Sequence, residues 1–400
     1  MVCFRTSCLI SIRNACARRL ESSGGIRDQS IVSILQIVRR NANSATGAFP
    51  FVLSSERSVL ALAGGHALGG SVKIPFLFDI ETHVRFLIAL PTFIAAELLV
   101  HNRIRPVVQQ FVARHIITTE QVPEFHAAIN AATRVRNSAV VEVALIVVVY
   151  TAGLWTWRNG VALDQASWYA TPDGTSLNLT SAGYWLAFVS VPLFQFILLR
   201  WYLRLLIWFW LLWRISRLEL NLTPTHPDRA GGLGFLGDSV QAYAPLLFAQ
   251  GVLLSGVIAS RILYDGQALM SFKAEIALFV AVFVVFLLAP LTAFTGQITR
   301  AKRKGLREYG QLSSRYVQGF HEKWVQGGAP PREELLGSGD IQSLADLGNS
   351  VAVIREMRPV PFGMNAVGIL VAATVAPLLP LTLTIFSAEE VLLKVIQILL

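Results

Sequence analysis

Five ionisable residues lie in or beside long apolar runs, where charge is costly: Glu97, His101, Glu142, Arg200 and Arg204. An ionisable side chain at membrane depth is a functional candidate by default, because its desolvation must be offset by an ion partner or a water-filled cavity. Glu97 and His101 are spaced i, i+4, as are Arg200 and Arg204, so each pair shares one helix face. Arginines facing a cavity would draw in an anion, with Glu97 and His101 controlling its protonation. The plainer arrangement has Arg200 and Arg204 snorkelling to the headgroups beside tryptophans, or paired with a carboxylate at the same depth on a neighbouring helix.

A second constellation is the string LTPTHPDRAGGLGFLG, residues 222–237, in which Thr225, His226, Asp228 and Arg229 are compact and polar. Pro224 and Pro227 stiffen its start and the glycines free its end, so it could hold an anion or a metal, or act as an inner gate. The competing reading is a connector: prolines stop one helix, Asp228 and Arg229 pair locally, and glycines let the next helix pack closely. Phosphate motifs fail on context, since no GK[ST] follows and no strand precedes the glycines. Asp79, Glu81 and His83 read as a solvated helix start with acids at the positive dipole end, and Arg261 with Asp265 as a local i, i+4 salt bridge. Neither GxSxG nor HExxH occurs, so an enzyme has no motif behind it. No cofactor is expected, and no metal site, because a second histidine near His226 is missing and Cys3, Cys8 and Cys16 form no CxxC pair.

The elements that must position these residues are transmembrane helices. Hydrophobic residues make up 54% of the chain and charged residues only 15%, against the roughly 25% charged of soluble domains. Six runs, near 84–100, 138–157, 183–213, 240–263, 275–297 and 364–386, are long enough to cross a bilayer, which takes about 20 apolar residues. The 31-residue run at 183–213 would be about 46 Å long as one helix, so it tilts, kinks or protrudes. Its Trp201, Trp208, Trp210 and Trp213 suit an aromatic belt at the inner interface. Pro91, Gly153, Pro192, Pro245, Gly251, Gly256, Pro290, Gly296, Pro377 and Pro380 punctuate the runs, permitting bends and close packing.

Basic residues alternate between loops. Segment 101–137 carries Arg103, Arg105, Arg114, Arg134 and Arg136, whereas 158–182 has only Arg158; 214–239 has Arg214, Arg217 and Arg229, 264–274 only Lys273, and 298–361 ten basic residues. By the positive-inside rule the richer loops face the cytoplasm. The net charge of +9 therefore points to the membrane surface, not to nucleic acid. This alternation puts the residues before Val84 outside, yet residues 1–83 carry nine basic residues, too many for a short translocated tail. A weaker span near 46–72 would resolve the conflict. Residues 1–45, basic and poor in acids, read as an N-terminal extension or presequence. After the last span, SAEEVLLKVIQILL reads as a short interfacial helix with Ser387 as its cap.

The stretch GSVKIPFLFDIETHVRFLIALPTFIAAELLVHNRIRP, beginning at Gly70, and the stretch RLELNLTPTHPDRAGGLGFLG, beginning at Arg217, resemble an uncharacterised family of bacterial multi-pass inner-membrane proteins without assigned activity. The resemblance runs from about residue 60 to the C-terminus; it implies membrane residence and a bacterial source, and no mechanism. The expectation is an all-α polytopic bundle, six strong spans plus one weaker N-terminal span over 46–400, with helices extending into the cytoplasm and a cytoplasmic segment at 298–361. The leading functional expectation is passage of a small anionic solute past Arg200 and Arg204. The alternatives are a non-conducting scaffold or signalling protein whose basic inner surface binds anionic lipid, a cytoplasmic protein or a second copy, and a membrane enzyme or metal site on loop 222–237.

Overall fold

The computed structural model describes residues 75–156, 167–173, 176–331 and 333–384. The N-terminal extension, the span near 46–72 and the C-terminal interfacial helix lie outside the described residues. Nine helices build the described part: α1 (Ile80–Ala113), α2 (Val122–Arg136), α3 (Ala139–Thr156), α4 (Ser181–Ile215), α5 (Phe235–Asp265), α6 (Lys273–Leu288), α7 (Thr295–Phe320), α8 (Gly339–Arg355) and α9 (Met364–Thr384). The α6 and α7 helices belong to one continuous helical run, Leu269–Val325, and six runs in all are long and apolar enough to cross a membrane. The protein is an all-α polytopic bundle with membrane-spanning helices, as its apolar runs predict. A two-stranded antiparallel hairpin, β1 (Ala170–Asp173) with β2 (Ser176–Leu179), decorates the connection between α3 and α4.

The prolines set where the helices change form. Pro91 and Pro192 each follow a π-helical stretch, Val84–Ala89 in α1 and Leu186–Ser190 in α4. A proline removes one N–H donor and crowds the carbonyl four residues back, and the wider π turn accommodates the interruption. Pro290 sits in the 3-10 stretch Ala289–Phe294 between α6 and α7, and Pro377 and Pro380 in the 3-10 end of α9, Ala376–Thr384. Gly251 serves a different purpose: a Cβ there would stand 2.2 Å from the Thr374 carbonyl oxygen, so α5 and α9 touch backbone to backbone.

A large apolar core runs through the bundle, beside a smaller cluster of Ile258, Phe272, Leu378 and Leu381. At the end carrying the basic loops, hereafter the basic end, Phe111 of α1 meets Phe125 of α2 at 5.9 Å, Phe235 of α5 at 5.2 Å and Phe294 at 6.5 Å. Trp201 and Trp208 of α4 are buried in this core, and only Trp210 and Trp213 are exposed, which corrects the expected belt of four. The reason is α4's two-sided burial: Trp201 Nε1 donates to the Phe93 carbonyl at 3.1 Å, while Arg214 and Arg217 lie over the rings of Trp210 and Trp213.

At the opposite end Asp79 caps α1, accepting from the Thr82 amide at 3.0 Å and the Thr82 hydroxyl at 2.7 Å. It is not solvated as expected: it is buried under Trp168, whose Nε1 donates to it at 2.9 Å. Glu81 pairs with Arg85. Arg261 forms no salt bridge with Asp265 among the described residues; its guanidinium stands 6.0 Å from the Phe272 ring.

Candidate functional site

Two groups of candidate residues come together, both near the basic end, and one candidate stays apart. Glu142 is exposed in the first turn of α3 and forms no ion pair among the described residues. Glu97 and His101 of α1 face α4, and Arg204 Nη2 donates to Glu97 Oε1 at 2.6 Å. The Arg204 side chain is 23% exposed and Glu97 42%, so the pair is only partly screened. Trp201, one turn before, offers its ring face to the same guanidinium at 5.7 Å. Arg200 also acts on Glu97, and so does Arg136 from the last turn of α2. The sequence marks Arg136 only as one of the basic residues of segment 101–137, because nothing in its neighbourhood signals that α2 folds back to pack on α4. That packing is extensive, and it brings a loop residue to the arginines of a span.

The second group is the loop 222–237, and its centre is Asp228. Its Oδ1 accepts from the amides of Ala230 at 2.8 Å and Gly232 at 3.1 Å, and its Oδ2 from Gly234 at 2.8 Å. His226 Nδ1 lies 2.9 Å from Oδ1 and 3.2 Å from the Asp228 amide. Protonated, Nδ1 donates to the carboxylate; deprotonated, it accepts from the amide. Burial raises the Asp228 pKa, but the three amides and His226 outweigh burial and hold the carboxyl below its ordinary value. Thr225 is half-buried beside them. The carboxylate is thus engaged on both oxygens by its own loop, and no group of three or more His, Cys, Asp or Glu with metal-binding geometry occurs among the described residues.

Neither proline stops α4, which ends at Ile215, nine residues before Pro224. Gln297 closes that end: its Nε2 donates to the carbonyls of Ser216 at 2.6 Å and Leu218 at 2.7 Å. Arg229 does not pair with Asp228. It sits at φ 56° and pairs with Glu356 at 3.1 Å, just past α8.

The loop is a latch between the bundle and the α7–α8 hairpin. Arg358 donates its amide to the Arg229 carbonyl at 2.8 Å and Nη2 to the Asp228 carbonyl at 3.0 Å. Lys302 of α7 closes the C-terminus of α8, donating to the carbonyls of Arg355 at 2.7 Å and Met357 at 2.8 Å. Pro224 packs where Gly305 has no side chain; a Cβ at 305 would stand 2.6 Å from that ring. Just before the loop, the chain is tied to the segment following α1 by the Ile117–Leu220 bridge and the Asn221 amide donating to the Ile116 carbonyl at 2.8 Å. Lys302, Glu356 and Arg358 were not legible as latch residues, because their partners lie 53 to 130 positions away.

Neither of two open surface features among the described residues includes Arg200 or Arg204. One, of about 570 Å³, is an apolar groove between α6 and α9 with Lys273 at its mouth. The other is a shallow, open face of α7 formed by Arg307, Gly310, Gln311, Ser314 and Arg315. No family model matches this chain, and no curated protein or solved structure is significantly similar to it.

Proposed function

We propose that this multi-pass membrane protein conducts nothing and instead holds the α7–α8 hairpin at the cytoplasmic face of a bacterial inner membrane as a docking arm for an acidic, amphipathic segment of a partner protein. The supporting observation is the open face of α7 that carries Arg307 and Arg315, on a hairpin that is fastened at both ends and exposed between. The base is fastened by the latch, where the only buried residues of α7 and α8 lie: Ile298, Gly305 and Ile354. The tip is fastened through Asp340, which accepts from Lys323 and from Trp324 Nε1, each at 2.9 Å. Between them Leu312, Val317 and Ile341 are exposed. Exposed apolar residues rimmed by charge are a common signature of an interaction surface, and the basic face selects an acidic partner.

Passage of an anion along Arg200 and Arg204 draws less support. Arg204 is committed to Glu97 and Trp201, and loop 222–237 is braced by Asp228, which suits a latch better than a gate. The cytoplasmic orientation rests on the loop charges, and the bacterial source on the resemblance of the stretches beginning at Gly70 and Arg217.

The test is retention of an acidic partner by the detergent-solubilised protein. Retention is expected to weaken with salt and to be lost in Arg307→Glu with Arg315→Glu, while the variant still unfolds at the wild-type temperature. Retention that survives both charge reversals contradicts the docking arm.

A further inference from the structure

The arginines of α2 and α4 are left with a task that the docking arm does not explain. Arg204 is bonded to Glu97, Arg200 stands one turn before it on α4, and Arg136 ends α2, which packs against α4, so three guanidinium groups gather near one carboxylate. Arg200 is half-buried and makes no hydrogen bond or ion pair among the described residues. Arg136 donates only a 3.3 Å bond to the neighbouring Asn137. A half-buried guanidinium has five donors to satisfy, and a cluster of like charges in a low-dielectric setting favours binding of a counter-anion.

We propose that Arg136 and Arg200, with Arg204 and His101 beside them, bind one phosphate-bearing anion, a phospholipid headgroup or free phosphate. Guanidinium forks match phosphate oxygens in bidentate geometry, so arginine is the residue type expected for such a ligand. The position along the helices supports a ligand at headgroup level. Arg200 lies 19 residues into α4, which is about 28 Å along the axis at 1.5 Å per residue, close to the roughly 30 Å thickness of the hydrocarbon layer. Arg136 ends α2 three residues before α3 enters its apolar run. Both residues therefore fall at the hydrocarbon boundary, where phosphodiesters sit. Leu98 and Leu99, next to Glu97, and Val135, next to Arg136, are exposed and offer apolar contact to an acyl chain.

The full-length protein, purified in neutral detergent, is titrated with phosphatidylglycerol, with phosphatidylcholine and with inorganic phosphate, reading bound species by native mass spectrometry and stability by thermal shift. One phosphatidylglycerol per chain is expected at concentrations where phosphatidylcholine does not bind, weakened tenfold or more by Arg136→Gln with Arg200→Gln. Lys273→Gln removes one charge at the opposite end of the bundle and is expected to leave this binding intact. Arg136→Gln alone, outside the spans, keeps the test decisive should the double variant fail to fold. Stabilisation by inorganic phosphate that disappears in the same variants, without lipid selectivity, assigns the site to a soluble phosphate. Equal binding of both lipids without any phosphate effect, or phosphatidylglycerol binding that persists in both arginine variants, overturns the proposal.

Discussion

Replacing Asp228 with alanine should release the latch, and the size of the effect follows from its contacts. The carboxylate accepts from three backbone amides, Ala230, Gly232 and Gly234, at 2.8 to 3.1 Å. A hydrogen bond to a charged acceptor contributes about 1.5–3 kcal/mol, but the side chain is 17% exposed and an opened loop regains water. A local cost of about 3–5 kcal/mol is therefore reasonable, well below the simple sum. Since about 1.4 kcal/mol is a tenfold change in an equilibrium constant, the three amides should exchange hydrogen on the order of 100-fold faster or more, provided they exchange by local opening. Asp228→Asn is more selective: its single carbonyl oxygen can keep Ala230 and Gly232, so Gly234 alone should lose protection. The pH dependence has a fixed sign. A carboxyl whose folded pKa is depressed contributes stability above its unfolded value, about 4, and loses it as pH falls through the lower folded value. In a His226→Gln background, which removes the imidazole 2.9 Å from Oδ1, protection corrected for intrinsic exchange should thus be constant above about pH 5 and decline only under acid. Exchange within about threefold of wild type in Asp228→Ala, corresponding to less than 1 kcal/mol, would refute this account of the latch.

Other perturbations probe separate joints. Gly251→Ala forces a methyl group into the Thr374 carbonyl and should destabilise the detergent-solubilised protein by about 1–3 kcal/mol, measured by thermal unfolding against Gly296→Ala, where nothing lies within 4 Å. Trp168→Phe removes the 2.9 Å bond to buried Asp79 and should cost about 1–3 kcal/mol, the contribution of one hydrogen bond to a buried carboxyl that keeps only its two Thr82 donors; a neutral result would show that water replaces the indole. A double-mutant cycle of Glu97→Gln and Arg204→Gln should report a coupling of about 1–2 kcal/mol, between the values for exposed and fully buried pairs, and a coupling near zero would mean that the pair is not formed in the membrane.

What the sequence made legible is the part dictated by hydrophobic length. A run such as 138–157 has to become a helix because a bilayer leaves its backbone no other partners, and α3 spans Ala139–Thr156. The i, i+4 spacing of Arg200 and Arg204 also put them on one face, and a carboxylate of a neighbouring helix meets one of them. Contacts between distant loops were not legible. The buried state of Asp79 depends on Trp168, 89 positions later, and the arginine cluster depends on α2 turning back onto α4. In loop 222–237 local pairing suggested Asp228 with Arg229, but a carboxylate next to several free amides binds those first, and the left-handed backbone at Arg229 turns its side chain towards Glu356. Hydropathy also misjudged the tryptophans, since periodicity does not tell a lipid-facing ring from one facing another helix.

Flux through proteoliposomes containing the full-length protein is the measurement that most directly tests the central claim of a non-conducting membrane protein with a latched docking arm. Chloride and phosphate should leak no faster than from protein-free liposomes, and Arg200→Gln and Arg204→Gln should change nothing. Saturable anion flux that these substitutions abolish would contradict the account and return the two arginines to a conduction path.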